Sequence, residues 1–337
     1  MKNFTTIILI LFSIATQAQI IRVNNNVNVD ADYTDLQSAV DAAMDGDTIY
    51  LEPSAIEYAS ATIVKPLVII GGGYFLDENE GIKANTQPSL VNSLVIGDAG
   101  NPTNSDADGT VIIGLELGQF SSGSSVITSY DQVSIIRCAF NANILTLEDA
   151  SSSGSLITQS IFEGGSSYIN FENVSTSNTV SNCIISSEDS DIIFRANGNT
   201  FVNNTIVYNG PNTNSDLFDI RNGSFTNNLI WLGDEKGNVV NGTGNSFTNN
   251  LILNSTDHNL TDYVIGSGST DGQWQLADGS PAEGAGENGV DVGAFGGLTP
   301  YILSGVPPIP RISSISVPTT GSSSTGLQVQ VTITSQN

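Results

Sequence analysis

Positive charge and histidine are what this chain has least of: nine Lys plus Arg and one His in 337 residues, against 34 Asp plus Glu. A formal charge of −25 repels phosphate backbones and anionic lipid, so neither nucleic acid nor a membrane surface is an expected partner. The lone His258, in the polar stretch STDHNLT, reads as a solvated loop residue rather than part of a catalytic set. Strong helix formers give way to Gly, Asn, Ser and Thr, which predicts few helices. Long apolar runs are missing after the N-terminus. The one run there, TIILILFSIA, follows Lys2, precedes Ala18 and is too short to span a bilayer comfortably. It predicts an export signal over 1–18, no membrane span after its removal, and a secreted or cell-surface protein.

What the chain has in abundance is repetition. SFTNNLI at 224–230 returns at 246–252, and the template runs backwards through NTFVNNTIVYN, TVSNCII, LITQSIF, SIIRCAF and VIIGLEL, with anchors at 114, 137, 159, 182, 204, 228 and 250. A fixed period of 22 to 24 residues means stacked units sharing one core. Two positions past each anchor stands a column that becomes Ile184, Ile206, Ile230 and Ile252, expected in the core. The anchors become Asn182, Asn204, Asn228 and Asn250, expected as a structural ladder, because Asn tolerates left-handed bends and its amides can bond up a stack. Leucine-rich repeats share the period but place Asn after the strand. Here the back segments SYINFENVS, SDIIFRANG and SDLFDIRNG are β-branched, aromatic and turn-rich, so they predict further strands.

The expected fold is therefore all-β, a parallel β-helix with about 22 residues per turn. Cys138 and Cys183 then fall in one column two turns apart, roughly 9.6 Å at ~4.8 Å per turn, beyond disulfide reach. In YTDLQSAVDAAMDGDTIYLEP, Thr34 and Gln37 predict a capping box, and Leu36, Ala39, Val40 and Ala43 keep helical spacing. The predicted division is an N-terminal strand and capping helix at 19–44, the β-helix at 45–304, and a proline linker with a terminal hairpin at 305–337. The hairpin reads as a lid over the far edge of the coil, with handing the coil to a partner as the alternative.

These stretches carry a resemblance. DYTDLQSAVDAAMDGDTIYLEP followed by IVKPLVIIGGG resembles the N-terminal opening of pectin-lyase-like right-handed parallel β-helix proteins. SPAEGAGENGVDVGAFGG at 280–297 is similar to the closing motif of exported β-helix proteins of Bacteroidota. The resemblance implies fold and compartment; one coil of this kind hosts lyases, hydrolases, esterases and adhesins alike. The Gly-His-Gly and Arg-Ile-Lys motifs of the pectin-degrading hydrolases are missing. So are the Lys and Ser/Thr that would make Gly71 to Gly73 a phosphate loop.

No catalytic set is expected. The ligand-binding candidates are Glu172, Arg195, Arg221 and Asp219, read as outward residues of successive turns, where two arginines offer forked donors to an acidic glycan or join the acids in a surface ion network. No cofactor or structural metal is expected beyond a weak Ca2+ site in NPTNSDADGT, where Asn104, Asp106, Asp108 and Gly109 fit a calcium loop that lacks its closing Glu. The leading expectation is a structural or glycan-binding exported protein with a polysaccharide partner. The alternative is a polysaccharide lyase acting on acidic glycans.

Overall fold

The computed structural model describes residues 18–97, 107–118, 124–128, 131–141, 144–147, 153–164, 168–171, 176–188, 192–210, 218–233, 240–324 and 326–335. Three parallel sheets of ten, eight and eight strands run its length. Sheet 1 begins with Ile20–Val23, Thr48–Leu51 and Val68–Ile70 and ends with Ser246–Thr248; sheet 2 ends with Leu251–Leu253; sheet 3 ends with Val240–Asn241. Each coil visits the sheets in turn and returns one strand higher, so the molecule is a right-handed parallel β-helix.

Alternation sorts the side chains. In sheet 1, Ile49, Ile69, Ile112, Ile135, Ile157, Val180, Phe201 and Phe225 point inward and are buried. Phe201, Phe225 and Phe247 stack with centroids 4.8 Å apart at each step. In sheet 2 the inward file is Leu117, Phe140, Phe162, Ile185, Ile206, Ile230 and Ile252. Ile206, Ile230 and Ile252 are thus aligned as expected. Ile184, however, faces outward over Thr205, because the coil between Asn182 and Asn203 is one residue shorter than the anchors assumed.

The same slip corrects the ladder. Asn182 pairs in register with Asn203, and both adopt positive φ at the bend from sheet 1 to sheet 2. The inward ladder column is Cys138, Ser160, Cys183, Asn204, Asn228 and Asn250. Four of its members take the backbone N–H of the coil before: Ser160 Oγ from Cys138 (3.1 Å), Asn204 Oδ1 from Cys183, Asn228 Oδ1 from Asn204 and Asn250 Oδ1 from Asn228 (2.9 Å each). Asn204, Asn228 and Asn250 also donate Nδ2 to the carbonyls of Val180, Phe201 and Phe225. Cys138 and Cys183 are free and fully buried, and burial pushes both thiols up to about 12. A second ladder stands at the bend from sheet 3 to sheet 1, where Asn178, Asn199 and Asn245 accept from Ser155, Asn178 and Gly223 (2.8 Å each).

Helix α1, Leu36–Ala42, packs Leu36, Ala39 and Val40 against the first strands. Its cap is Asp35, whose side chain accepts from Ser38 N, rather than a Thr34 capping box. Gln37 instead pairs with strand Ala61–Ile63, taking Thr62 N (2.7 Å) and donating to Thr62 O (3.2 Å), as another strand would.

After the last coil the chain doubles back along the outside of sheet 2. Tyr263, Val264, Trp274, Ala282, Val292, Ala294 and Tyr301 cover the outward Ala139, Ile161, Ile184, Val207, Leu229, Trp231 and Leu253 in a second core. The bend residues clasp this strap: Asn227 Oδ1 takes Glu287 N (2.9 Å), Asn182 Nδ2 reaches Ala294 O and Gly296 O (3.0 and 2.7 Å), and Arg137 donates to Val306 O (2.7 Å). Asn182 is therefore a clasp, not a ladder rung. The strap locks at buried Asp271, which accepts from Asn79 Nδ2 (2.9 Å) and Ser304 N (2.6 Å). Arg311–Ser316 and Gln330–Thr334 then pair antiparallel beside residues 82–84, not over the far edge, so the lid expectation fails.

Candidate functional site

The strap's return delivers the proline linker to the outer face of sheet 1 near its start. There Asn24, Tyr50, Glu52 and Pro53 form one wall, Gly72 and residues 83–85 a second, and Pro307 with Ile309 to Ile312 a third, around a cleft of about 460 Å3. That volume lies within the usual range for small-ligand sites.

Two cations line it. Lys83 Nζ donates to Gly72 O (3.0 Å), and Arg311 Nε donates to Ile82 O (2.8 Å). Both are half-buried, and neither has a carboxylate within ion-pairing distance among the described residues. Arg311 Nη1 is buried and meets no acceptor among them. Burial, then the neighbouring Arg311 charge, drops the Lys83 ammonium to about 8. Gly72 is needed here for space: a Cβ would lie 2.9 Å from Lys83 Nζ and 2.7 Å from Pro53. On the opposite wall Glu52 is already engaged, by Arg22 Nε (2.6 Å) and Asn24 Nδ2 (2.7 Å). Tyr50 lies beneath Arg22 in register, and burial, then Glu52, raises its phenol.

The residues singled out from sequence are not gathered this way. Arg221 is exposed on sheet 3 and Asp219 is half-buried beside it. Strand Ile193–Asn197 bulges, so that Ala196 pairs with Ile220 and Asn197, not Arg195, with Arg221. Glu172 and the Arg195 side chain lie outside the described residues. Of the calcium loop, Asn104 and Asp106 also lie outside them, while Asp108 accepts from Asp131 N (2.9 Å) in a coil bend. His258 Nδ1 meets the Tyr263 hydroxyl at 3.1 Å in an exposed loop. Lys83 and Arg311 were missed because 228 residues separate them, and only the strap's path unites them. A usable signal existed: both belong to a set of only nine basic residues.

No protein-family profile matches the chain, and no curated protein matches it. Among solved structures it is similar to the crystal structure of pectate lyase Pel9A, at 13% identity and a TM-score of 0.41, covering 83% of this chain and 96% of that one.

Proposed function

We propose that this protein is an exported β-helix that binds acidic glycans in the Lys83–Arg311 cleft. The observation that carries the reading is a pair of adjacent, half-buried cations with no carboxylate partner among the described residues, in a chain with 34 acids and nine bases. The two charges have room for a ligand's carboxylate, to which a guanidinium and an ammonium make charge-assisted bonds. The Asn85 amide supplies a donor for a sugar hydroxyl, and the Tyr50 ring offers a face to a pyranose. The test is calorimetric titration of the full chain with trigalacturonate, beside neutral maltotriose as control. Binding of the uronate alone, weakened in Lys83→Gln and Arg311→Gln, is expected; equal binding of both sugars, or unchanged binding in both variants, refutes the site.

One feature favours a lyase as the second reading. A lysine titrating near 8 supplies neutral amine at mildly alkaline pH. Its lone pair would take the proton beside a uronate carboxylate, the C–H electrons would form the C4–C5 double bond, and the C4–O bond would break, its oxygen leaving with a proton from water. Arg311 would hold the carboxylate. Rising absorbance from unsaturated uronate on polygalacturonate above pH 8, lost in Lys83→Gln, is the expected sign. Binding without that rise leaves the protein a glycan binder.

A further inference from the structure

The two ends of the coil are closed differently. At the N-terminal end α1 buries its apolar face on the first strands. At the other end the inward-facing Phe247 and Ile252 are each 43% exposed, whereas Phe225 and Ile230, one coil earlier, are fully buried. Ser246–Thr248 and Leu251–Leu253 are the last strands of their sheets. The ladder stops with them: Asn250 accepts from Asn228, but its own N–H finds no acceptor among the described residues. A solenoid end with bare core and free strand edges is the feature that capping units normally cover.

A second surface in the same molecule lacks a cover. In LQVQVTIT, Leu327, Val329, Val331 and Ile333 alternate with polar residues, the pattern of a strand meant to bury one face, yet they are 50, 52, 47 and 69% exposed. Directly opposite pairs Ile312 with Ile333 and Ile315 with Val331 extend that face across the hairpin. A two-stranded hairpin is at best marginal on its own in water. These two surfaces do not meet within one molecule. The hairpin is rooted by Ala84 N to Ile312 O and by Arg311 to Ile82, beside the coil of Val68–Ile70. Ser246–Thr248 lies seven strands further along sheet 1, about 34 Å at ~4.8 Å per strand.

We propose that the apolar face of one copy's hairpin caps the open last coil of the next copy, so that molecules join head to tail. The contact is heterologous: hairpin and coil end are different surfaces, and repetition gives an open chain of molecules rather than a closed dimer. Because each copy carries a charge of −25, association strengthens with added salt.

Sedimentation velocity of the full chain across a wide concentration range, at low and high salt, tests the proposal. Growing oligomers are expected, larger at high salt; a monomer under all conditions overturns it. Phe247→Asp breaks one surface and Ile333→Asp the other, at side chains already in water; Ile252→Asp replaces the first if its melting shows a damaged coil. Each variant alone should stay monomeric. Their equimolar mixture, which retains one good coil end and one good hairpin, should form dimers and nothing larger. Continued self-association of Ile333→Asp would mean coil ends meeting each other, and a mixture that stays monomeric would mean the surfaces do not fit; either result overturns the proposal.

Discussion

The ladder at the sheet 1 to sheet 2 bend and the cleft at the start of sheet 1 use scarce polar groups in opposite ways. In the ladder, Asn228 receives two N–H groups from Asn204 and gives its own amide and backbone hydrogens to Phe201 O and Asn250 Oδ1. Nothing is left for a ligand. In the cleft, Lys83 and Arg311 touch only backbone carbonyls, and their charge faces no carboxylate among the described residues. Buried polarity that is saturated from within is architecture; polarity left open on a concave wall is where a ligand gains most.

The comparison breaks first at Asn228. Asn228→Ala leaves the backbone hydrogen and one of the two amide hydrogens of Asn204 without a partner in a fully buried site, and takes the amide donor away from the carbonyl of Phe201. At ~1 to 3 kcal/mol per buried unsatisfied group, a loss of about 4 kcal/mol is expected, read by urea unfolding. Asn250→Ala, at the open end where water can substitute, should lose about 1 kcal/mol. Equal losses at the two sites would mean that burial does not set the ladder's value.

Much of the ladder was legible because period and composition coincide: Asn204, Asn228 and Asn250 repeat beside Ile206, Ile230 and Ile252, and a stack admits few other arrangements. Asn182 shows the limit. In SNCII a single Asn faces the double Asn of VNNTI, and spacing alone does not say whether it matches the bend or the ladder. The 21-residue coil decides for the bend and hands the ladder position to Cys183. The second ladder had its signal in the Asn that opens NTVSN, NTFVNN and NSFTNN, two corners of one coil written in one motif. The lateral arginines failed for a different reason: sheet 3 bulges at Ile193 to Ala196, and a bulge shifts which side chains share a face without marking the sequence. The cleft was illegible because it is tertiary, assembled by a strap that runs the length of the coil before Arg311 meets Lys83.

Glu163 lies between the two extremes, on the covered face of sheet 2 yet ionisable. Burial, with the charges of Asp271 and Glu78 adding to it and Trp274 opposing it, raises its carboxyl from the ordinary 4.5 to about 7. The folded state therefore favours the protonated form. This contribution is complete below the unfolded value and is lost as pH climbs through 7, on the order of 3 kcal/mol in all. The melting temperature should fall between pH 5 and pH 8, and Glu163→Gln should remove most of that slope. A slope unchanged in the variant would assign it to other carboxylates.

For the cleft, the signs run the other way with ligand. A bound carboxylate favours charged Lys83, so affinity for trigalacturonate should hold up to about pH 7 and decline as pH passes 8, where the free ammonium deprotonates. Lys83→Gln should weaken binding about 10- to 30-fold at pH 7, the worth of one charge-assisted bond, and should bind with no further loss at pH 9. A variant that keeps the wild-type pH profile would move the titrating group elsewhere.

The smallest effect is the sharpest on what a ladder position is. Cys183 occupies the column one coil before Asn204, and its Sγ points to Ile157 O at 3.6 Å, as Asn204 Nδ2 points to Val180 O at 3.0 Å. In Cys183→Asn the new Nδ2 would meet that carbonyl and the new Oδ1 would face Ser160 N, lengthening the ladder by one rung. The added volume in a fully buried site opposes the added hydrogen bonds, so unfolding free energy should change by less than about 1 kcal/mol in either direction. Placing Asn where a column of side chains merely fills space should instead cost about 2 kcal/mol or more, as at Ile185, whose neighbours Phe162 and Ile206 offer it no partner. If Cys183→Asn and Ile185→Asn proved equally damaging, the column would be ordinary core rather than a position prepared by its neighbours for an amide.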